Sequence, residues 1–496
     1  MNKIKIGWSE KKLIPDGVKV SLAGQFYERV TNVVETPITV TCVAFDNGDD
    51  CALMCSCDLE SVGYDLLVKV RENIAKKSSL PVEKVIISAV HVHTGPDFNG
   101  RDLSASATGG LQVLKKFMPP HIKYEQLEET SQTDIFCGDE ACEYIANVIA
   151  DTAIEAWETR KEGFFASAFG RAAVGMCRRV CYDDGSAKMW GDTDMANFTE
   201  LESGNDSGIE LLFTYDQSKK LTGVIANVAC PAQILEHRTF ISSDYWGKVK
   251  ENLRKEYGES LFVLGLISAA GDQCPRDMIR WVEPETPIND PNIIRENVTI
   301  RVADPSMFDL KGCKLAARRI SDEIKYALAD VDTFTDKAPL IHKNIKLDMP
   351  LRRVTIEEKD KAVKEVADFF EKIDGSFNFR DSARLHVHAG TIVRYELQQI
   401  QETDEIEVHF IRLGNIAFAT NPYELFLNYG NQIRARSKAS QTFLIQLCCG
   451  SRGYLPTEKA EKGQHYSAYV SSGKTGHMGG ELLVRKTLSE INEMFK

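Results

Sequence analysis

The chain has no apolar run long enough to cross a bilayer, no block of basic residues and no cysteine pair at CxxC spacing. Each absence removes a class of function. A membrane span needs about 20 consecutive apolar residues, so no transmembrane helix is expected. The net charge is −12 and acids and bases are mixed along the chain, which argues against phosphate tracking and nucleic-acid binding. Without CxxC spacing a structural zinc ribbon is out. The opening "MNKIKIGWSEKKLIPDG" has no apolar h-region and no cleavage-site pattern, so nothing marks it for export. No amphipathic basic helix suggests a stable membrane association. No internal repeat and no low-complexity tract can be read along the chain.

What is present is an ordinary globular composition: 43% of the 496 residues are hydrophobic and 27% charged, enough for a large core. The thirteen cysteines are an odd, scattered set. Cys42, Cys51, Cys55 and Cys57 fall inside apolar strand-like runs, and Cys448 with its neighbour Cys449 could bridge only with strain. Free thiols in a reducing cytoplasm are expected.

Short runs rich in β-branched residues recur: "ITVTCVAF" (38–45), "CALMCSC" (51–57), "KVIISAV" (84–90), "LTGVIANVA" (221–229), "LFVLGLI" (261–267), "NIAFAT" (415–420) and "TFLIQL" (442–447). Between them lie amphipathic helical patterns over 243–258, 310–331, 357–373, 423–437 and 479–495. Alternating strands and helices predict an α/β (α+β mixed) fold, with mixed sheets flanked by helices. No linker divides the chain, so residues 1–496 read as one catalytic unit, with a C-terminal subdomain from about residue 340 as an option. The polar stretch 100–140 and the Pro/Asp/Asn-rich stretch 275–306 read as an insertion or lid and a surface excursion.

Polar residues gather beyond the strand ends, where open α/β sheets build sites. "IISAV" runs into His91 and His93, whose i, i+2 spacing on a strand would put both rings on one face. Imidazole suits zinc, so this dyad is a metal candidate. "VIANVA" runs into Cys230-Pro231 and then Gln233, Glu236 and His237; "LFVLGLI" runs into a small-residue turn with Asp272 and Cys274. "NIAFAT" runs into Asn421-Pro422 and Glu424 at a helix start, and "TFLIQL" runs into "CCGSRGYLPT" with Tyr454. A second dyad, His386 and His388, reads as mid-strand, with no Gly-Pro turn after it, and is the weaker candidate. An amidohydrolase barrel also begins with HxH, but on its first strand; here two strands come before it.

In order along nearly the whole chain, "IKIGWSEKKLIPDG", "CSCDLESV", "ISAVHVHTGP", "CRRVCYDDG", "ISSDYWG", "AAGDQCPR", "NPYELF" and "GYLPTEKA" resemble the neutral/alkaline (non-lysosomal) ceramidase family of zinc-dependent amidases. The resemblance stops where that family's catalytic domain stops, without its C-terminal immunoglobulin-like module. It implies His91, Glu424 and Tyr454 as metal ligands, His93 as a residue lining the site, and Arg178 as a substrate contact. Two positions depart from the pattern. The family's second histidine ligand falls at Cys230, with Gln233, Glu236 and His237 as alternatives. Its serine in a "GDVSPN"-like turn falls at Cys274, which could donate to substrate or act as a nucleophile. Asp58 and Asp244 are candidates for orienting ligands, or equally for capping helices.

The resemblance implies a metal-dependent hydrolase with one Zn2+, Mn2+ or Fe2+ being alternatives if the ligand set holds no thiolate. Lys115, Lys116, Phe117, Arg276, Arg280 and Trp281 in the two excursions suit a small, polar, soluble substrate rather than ceramide. The expected reaction is attack on an amide. An ester, lactone or glycosidic bond at the same metal is an alternative, and a non-catalytic ligand-binding relative is the reading from another class. A cytoplasmic location is expected; the oligomeric state is not legible.

Overall fold

The β-branched runs become strands and sort into three sheets of one design. The computed structural model describes residues 2–25, 27–98, 110–125, 134–282, 302–304 and 309–496. In the first sheet, β1 (Lys5–Lys12), β2 (Thr39–Asp46) and β3 (Cys51–Cys57) form an antiparallel meander. Helix α1 (Tyr64–Lys77) then crosses over and β4 (Val85–Ala89) returns parallel to β3, with Cys57 opposite Ala89. The edge strand β5 (Lys161–Glu162) completes the order β4-β3-β2-β1-β5. Every residue of β3 and β4 is buried, which is why both read as unbroken apolar runs instead of alternating ones.

The second sheet repeats the plan. Strands β6 (Phe164–Arg171), β7 (Gly208–Tyr215) and β8 (Leu221–Val228) are antiparallel, α2 (Asp244–Tyr257) crosses over, and β9 (Phe262–Ile267) lies parallel to β8. So does the third: β10 (Leu340–Pro350), β11 (Thr403–Leu413) and β12 (Ile416–Thr420), then α3 (Leu427–Arg436), then β13 (Gln441–Ile445) parallel to β12. A parallel step needs a long crossover, and in each unit one helix supplies it. The chain is thus a threefold repeat of three antiparallel strands, a helix and a strand. The sequence hides it, because the three units share a pattern of burial, with few identities and very different insertions.

The units are tied to one another through these parallel pairs. Ser56 Oγ donates to Gly265 O at 2.6 Å, joining the first sheet to the second, and Asn227 Nδ2 donates to Leu444 O at 2.8 Å, joining the second to the third. Cys449 N donates to Ile87 O at 2.9 Å and Ala89 N to Leu447 O at 3.2 Å, joining the first to the third. The two ends of each parallel pair point the same way, so the chain beyond them converges on one region. That region receives His91, Asp272, Glu424 and Tyr454.

Two readings change. The His386/His388 dyad lies in a helix, Phe379–Leu397, started by a capping box in which Asn378 accepts from Asp381 N and the Asp381 carboxylate accepts from Asn378 N. At i, i+2 on a helix two side chains diverge by about 200°, so they cannot share one ion. The 100–140 stretch contains a helix, Gly110–Phe117, whose Leu111 and Leu114 join Val366 of helix Ile356–Lys372 and Leu385 in a separate apolar cluster. Residues 99–109 and 126–133 of that stretch, and 283–301 and 305–306 of the other, lie outside the described residues, as does the side chain of Trp281.

If the inter-sheet ties hold the units in place, Asn227→Ala, which leaves the buried Leu444 carbonyl unpaired, should destabilise the fold by about 1–3 kcal/mol. The check is a lower urea midpoint with an unchanged m-value.

Candidate metal centre

The chain leaves β4 at Val90 and kinks at once, for His91 adopts φ 62°. A non-glycine residue in this region costs about 1–3 kcal/mol and persists only where its surroundings over-determine it. The kink also overturns the strand argument for the dyad: the rings meet because the backbone bends between strand and turn. Their centroids are 4.8 Å apart, edge to face, and Nε2 of His91 lies 3.2 Å from Nε2 of His93.

Each ring is fixed from behind. His91 Nδ1 is 3.0 Å from the Glu60 carbonyl oxygen, which can only accept, so Nδ1 carries the proton. In the neutral ring Nε2 is then a bare lone pair. His93 Nδ1 lies 3.5 Å from Glu236 Oε2. Its backbone carbonyl accepts from Arg29 Nη2 at 2.7 Å, and the same nitrogen donates to Ala23 O at 2.6 Å. Gly24, at φ 85°, lies against the ring, where a Cβ would sit 2.4 Å from His93 Cγ. Burial first, then His91, Arg29 and Arg178, hold the His93 pKa well below the usual histidine range, so the ring is neutral.

Glu424 and Tyr454 enter from the third unit side by side, in a two-residue parallel ladder that pairs Glu424 with Tyr454 and Leu425 with Leu455. Glu424 stands in this ladder, ahead of the helix start at Leu427 where the sequence pattern put it. Glu424 Oε2 is 3.6 Å from His91 Nε2. Burial raises the Glu424 pKa, opposed by His91, Arg178 and a hydrogen bond from Tyr454. Burial likewise drives the Tyr454 phenol well above its ordinary value, aided by Glu424.

Arg178 comes from the second unit. Its Nη2 donates to Tyr454 Oη at 3.2 Å and to Gly271 O at 3.0 Å, and its backbone N donates to Asp272 O. Its Nε is buried with no hydrogen-bond partner among the described residues. Burial alone would pull its pKa down, but Tyr454 and Glu424 raise it, so the guanidinium stays charged. Trp190, at φ 59°, lies between two cations, its ring 5.9 Å from Arg178 Cζ and 5.0 Å from Arg276 Cζ.

These donors fit a cation. Two nitrogens bound to one tetrahedral zinc at about 2.0–2.1 Å are themselves about 3.3 Å apart. The two facing Nε2 atoms match that edge, and the Glu424 carboxylate approaches from the His91 side, without all three donors lying within 4.8 Å of one another.

The other candidates stand elsewhere. Cys230 Sγ is 3.5 Å from Pro231 O and packs in an apolar cluster with Val90, Val92 and Val174. Burial raises its thiol well above the ordinary range, so Cys230 is a core residue, and the donor facing His91 is His93. Gln233 is buried in the same turn, its backbone N on Pro231 O. His237 faces the helix Asp309–Ala329, Nε2 3.8 Å from Asp309 Oδ1. Cys274 pairs with Met176 beneath Arg178 and donates to Arg276 O; burial lifts its thiol to about 12 against Arg178, which disfavours a nucleophile. Asp58 Oδ2 accepts from Thr39 N and Oγ1. Asp244 accepts from Leu235 N at 2.8 Å and from its neighbour Tyr245 N at 2.7 Å, holding the turn that carries Glu236. Among the residues around the rings, Glu60, Arg29, Gly24 and Trp190 have no motif in the sequence that would have marked them.

No family model matches the chain, and no curated protein matches it. Solved structures do. One is neutral ceramidase from Pseudomonas aeruginosa, with TM-score 0.66 and 12% identity over 99% of this chain and 75% of that one. The fold is ceramidase-like. Another, a ceramidase complexed with C2, matches with TM-score 0.66 and 11% identity over 98% and 74% of the two chains. At such identities the likeness establishes the fold, and the site stands on its own geometry.

The Asp244 carboxyl is pushed up to about 7 by burial, against backbone N–H groups that favour its charged form. The folded state therefore keeps a proton that the unfolded chain releases near pH 4, and stability falls as pH rises from about 4 to about 7. Asp244→Asn should flatten that fall, read as a smaller loss of urea midpoint between about pH 5 and about pH 8 than in the wild type. An unchanged difference would show that Asp244 is charged in the fold throughout.

Proposed function

We propose that the chain is a metal-dependent hydrolase, zinc the expected ion, acting on the amide carbonyl of a small, polar, soluble substrate. The observation that carries this reading is the pair of buried Nε2 atoms 3.2 Å apart, with the Glu424 carboxylate 3.6 Å from one of them. His91, His93, Glu424 and Tyr454 would hold the ion. A set with no thiolate also accepts manganese or iron. When bound, a divalent cation supplies Lewis acidity, lowering the pKa of a water toward ~7 and polarising a carbonyl.

The protein's own residues do the rest. The Glu60 carbonyl holds the His91 ring with Nε2 inward, the outer-shell arrangement that fixes tautomer and orientation, and the Glu236 carboxylate stands 3.5 Å behind His93 Nδ1. Arg178, charged, buried and with an Nε that has no partner among the described residues, would stabilise an oxyanion beside Tyr454. Arg178 and Arg276 flanking Trp190 support a polar, electron-rich substrate. The thirteen unbridged cysteines support a reducing, cytoplasmic setting, and among the described residues no helix is long and apolar enough to cross a membrane.

The test is metal content by plasma mass spectrometry on untagged protein. About one equivalent in the wild type should be lost in His91→Ala, His93→Ala and Glu424→Ala and kept in Cys230→Ala. Loss in Cys230→Ala would return that thiol to the ligand set, and a metal-free, folded wild type would sink the hydrolase reading. On a panel of soluble amides and esters, Arg178→Met should keep the metal and lower kcat/KM by about 10²–10³-fold.

A further inference from the structure

A second buried constellation lies in the third unit, outside the candidate metal centre, and its protons can be assigned from the acceptors around it. His342 on β10 places Nδ1 3.2 Å from the Cys51 carbonyl oxygen. A carbonyl only accepts, so Nδ1 carries the proton, and Nε2 of the neutral ring is an acceptor. That Nε2 faces His409 Nδ1 at 2.9 Å, so His409 donates there. The other nitrogen of His409, Nε2, lies 2.7 Å from Glu407 Oε1, and a carboxylate again only accepts. Both nitrogens of His409 therefore donate, and the ring is an imidazolium. Burial alone would lower its pKa, but Cys449 and Glu407 raise it.

Charge now decides what Cys449 must be. Glu407 takes both arms of Arg71, at 2.6 and 2.9 Å, and its pKa is held at about 2 by His409 and Arg71 against burial. Arg71 and His409 contribute two positive charges and Glu407 one negative, leaving one uncompensated positive charge around a fully buried ring. Such a charge is costly unless paired. Cys449 Sγ lies within 4.8 Å of the donor atoms of both His409 and Glu407, and the Cys448 thiol donates to it at 3.8 Å. The other charged groups nearby are paired among themselves, Lys346 with Glu405, Arg452 with Asp404 and Lys84 with Asp50, and Cys55, Cys448 and His342 are neutral.

We infer that Cys449 is a thiolate paired with the His409 imidazolium, and that it is a site of oxidation by small hydroperoxides. Burial alone would raise this thiol; Cys448, His409 and Arg71 bring it well below the ordinary range. A cavity of about 30 Å3, room for about one water-sized molecule, is lined by Tyr64, Lys346, Glu405, Pro422, Cys449 and Arg452. The same three donors could be imagined around a metal, but Arg71 already holds both oxygens of the would-be ligand Glu407, and its charge opposes a second cation. In the reaction the sulfur attacks one peroxide oxygen. An S–O bond forms as the O–O bond breaks, sulfur gives up two electrons, and the leaving hydroxide takes the His409 proton to become water. The product is Cys449 sulfenic acid.

The experiment needs only the full-length, reduced and desalted protein. Hydrogen peroxide is added at about pH 6 and then removed with catalase, the protein is unfolded in dimedone, and all thirteen cysteines are mapped by peptide mass spectrometry. Cys449 should be labelled at least about tenfold faster than any other cysteine. Its rate should change less than about threefold up to pH 8, where an ordinary thiol gains close to a hundredfold. His409→Gln should slow it about tenfold at pH 6; should that variant not fold, the wild-type map and its pH profile decide alone. Labelling of Cys449 no faster than of Cys448 or Cys230 would overturn the proposal. So would bound zinc that is lost in Cys449→Ser but kept in His91→Ala, which would make the cluster a metal site.

Discussion

A backbone carbonyl can accept a proton and never give one, and the carbonyl of Glu60 thereby sets the chemistry of the candidate metal centre. With Nδ1 of His91 committed to it, the lone pair of Nε2 points inward at the second ring. Around this contact the chain accepts several local costs. His91 sits at positive φ, Gly24 gives up a side chain so that its loop can lie on the His93 ring, and Arg29 is buried to hold the turn from below. None of these would be retained for packing alone, since an apolar residue at either histidine would fill the same space without strain.

The threefold architecture explains how so many distant residues reach one place. In each unit the third and fourth strands are parallel neighbours, so the turns that follow them emerge at the same edge. The first unit supplies His91 and His93 there, and the third supplies Glu424 and Tyr454. The second unit supplies the platform, with Gly271 and Asp272 gripping Arg178 through their carbonyls. One unit gives nitrogen donors, one gives oxygen donors, and one gives the fixed positive charge.

Much of this was legible before any coordinates. The run 51–57 is a strand to the residue, and the helices over 243–258 and 310–331 lie within two residues of Asp244–Tyr257 and Asp309–Ala329. Periodicity and strand-end position expose such features because they are written in residue type. What the sequence could not show was backbone conformation. Nothing in "SAVHVHTG" marks His91 as left-handed, so the two rings meet through a kink and not through the strand geometry read from the sequence. The same limit hid the surroundings of Cys230: a thiol at a strand end reads as a ligand, and only the fold shows it packed with Val90 and Val174. His386 and His388 read as mid-strand among arginines and acids, while the capping box that starts their helix opens at Asn378, eight residues upstream of the first histidine. The threefold repeat escaped for a related reason, since burial is shared between units whose residues differ.

The two buried histidine pairs pose the same problem and resolve it in opposite directions. In both, a backbone carbonyl takes the Nδ1 proton of the first ring: Glu60 for His91, and Cys51 for His342. At the candidate metal centre the second ring turns its own Nε2 to the first, with Nδ1 3.5 Å from the Glu236 carboxylate. In the third unit the second ring is turned so that a carboxylate lies behind it, and there the proton itself is the cation, held on His409 between His342 and Glu407. The two pairs differ in the grip on the second ring: Glu236 stands 3.5 Å from His93 Nδ1, which makes no hydrogen bond among the described residues, whereas Glu407 lies 2.7 Å from His409 Nε2. Residue type alone cannot encode that difference. It follows from the turn at His91 on one side and from the regular β11 backbone, with His409 and Glu407 on one face at i, i+2, on the other.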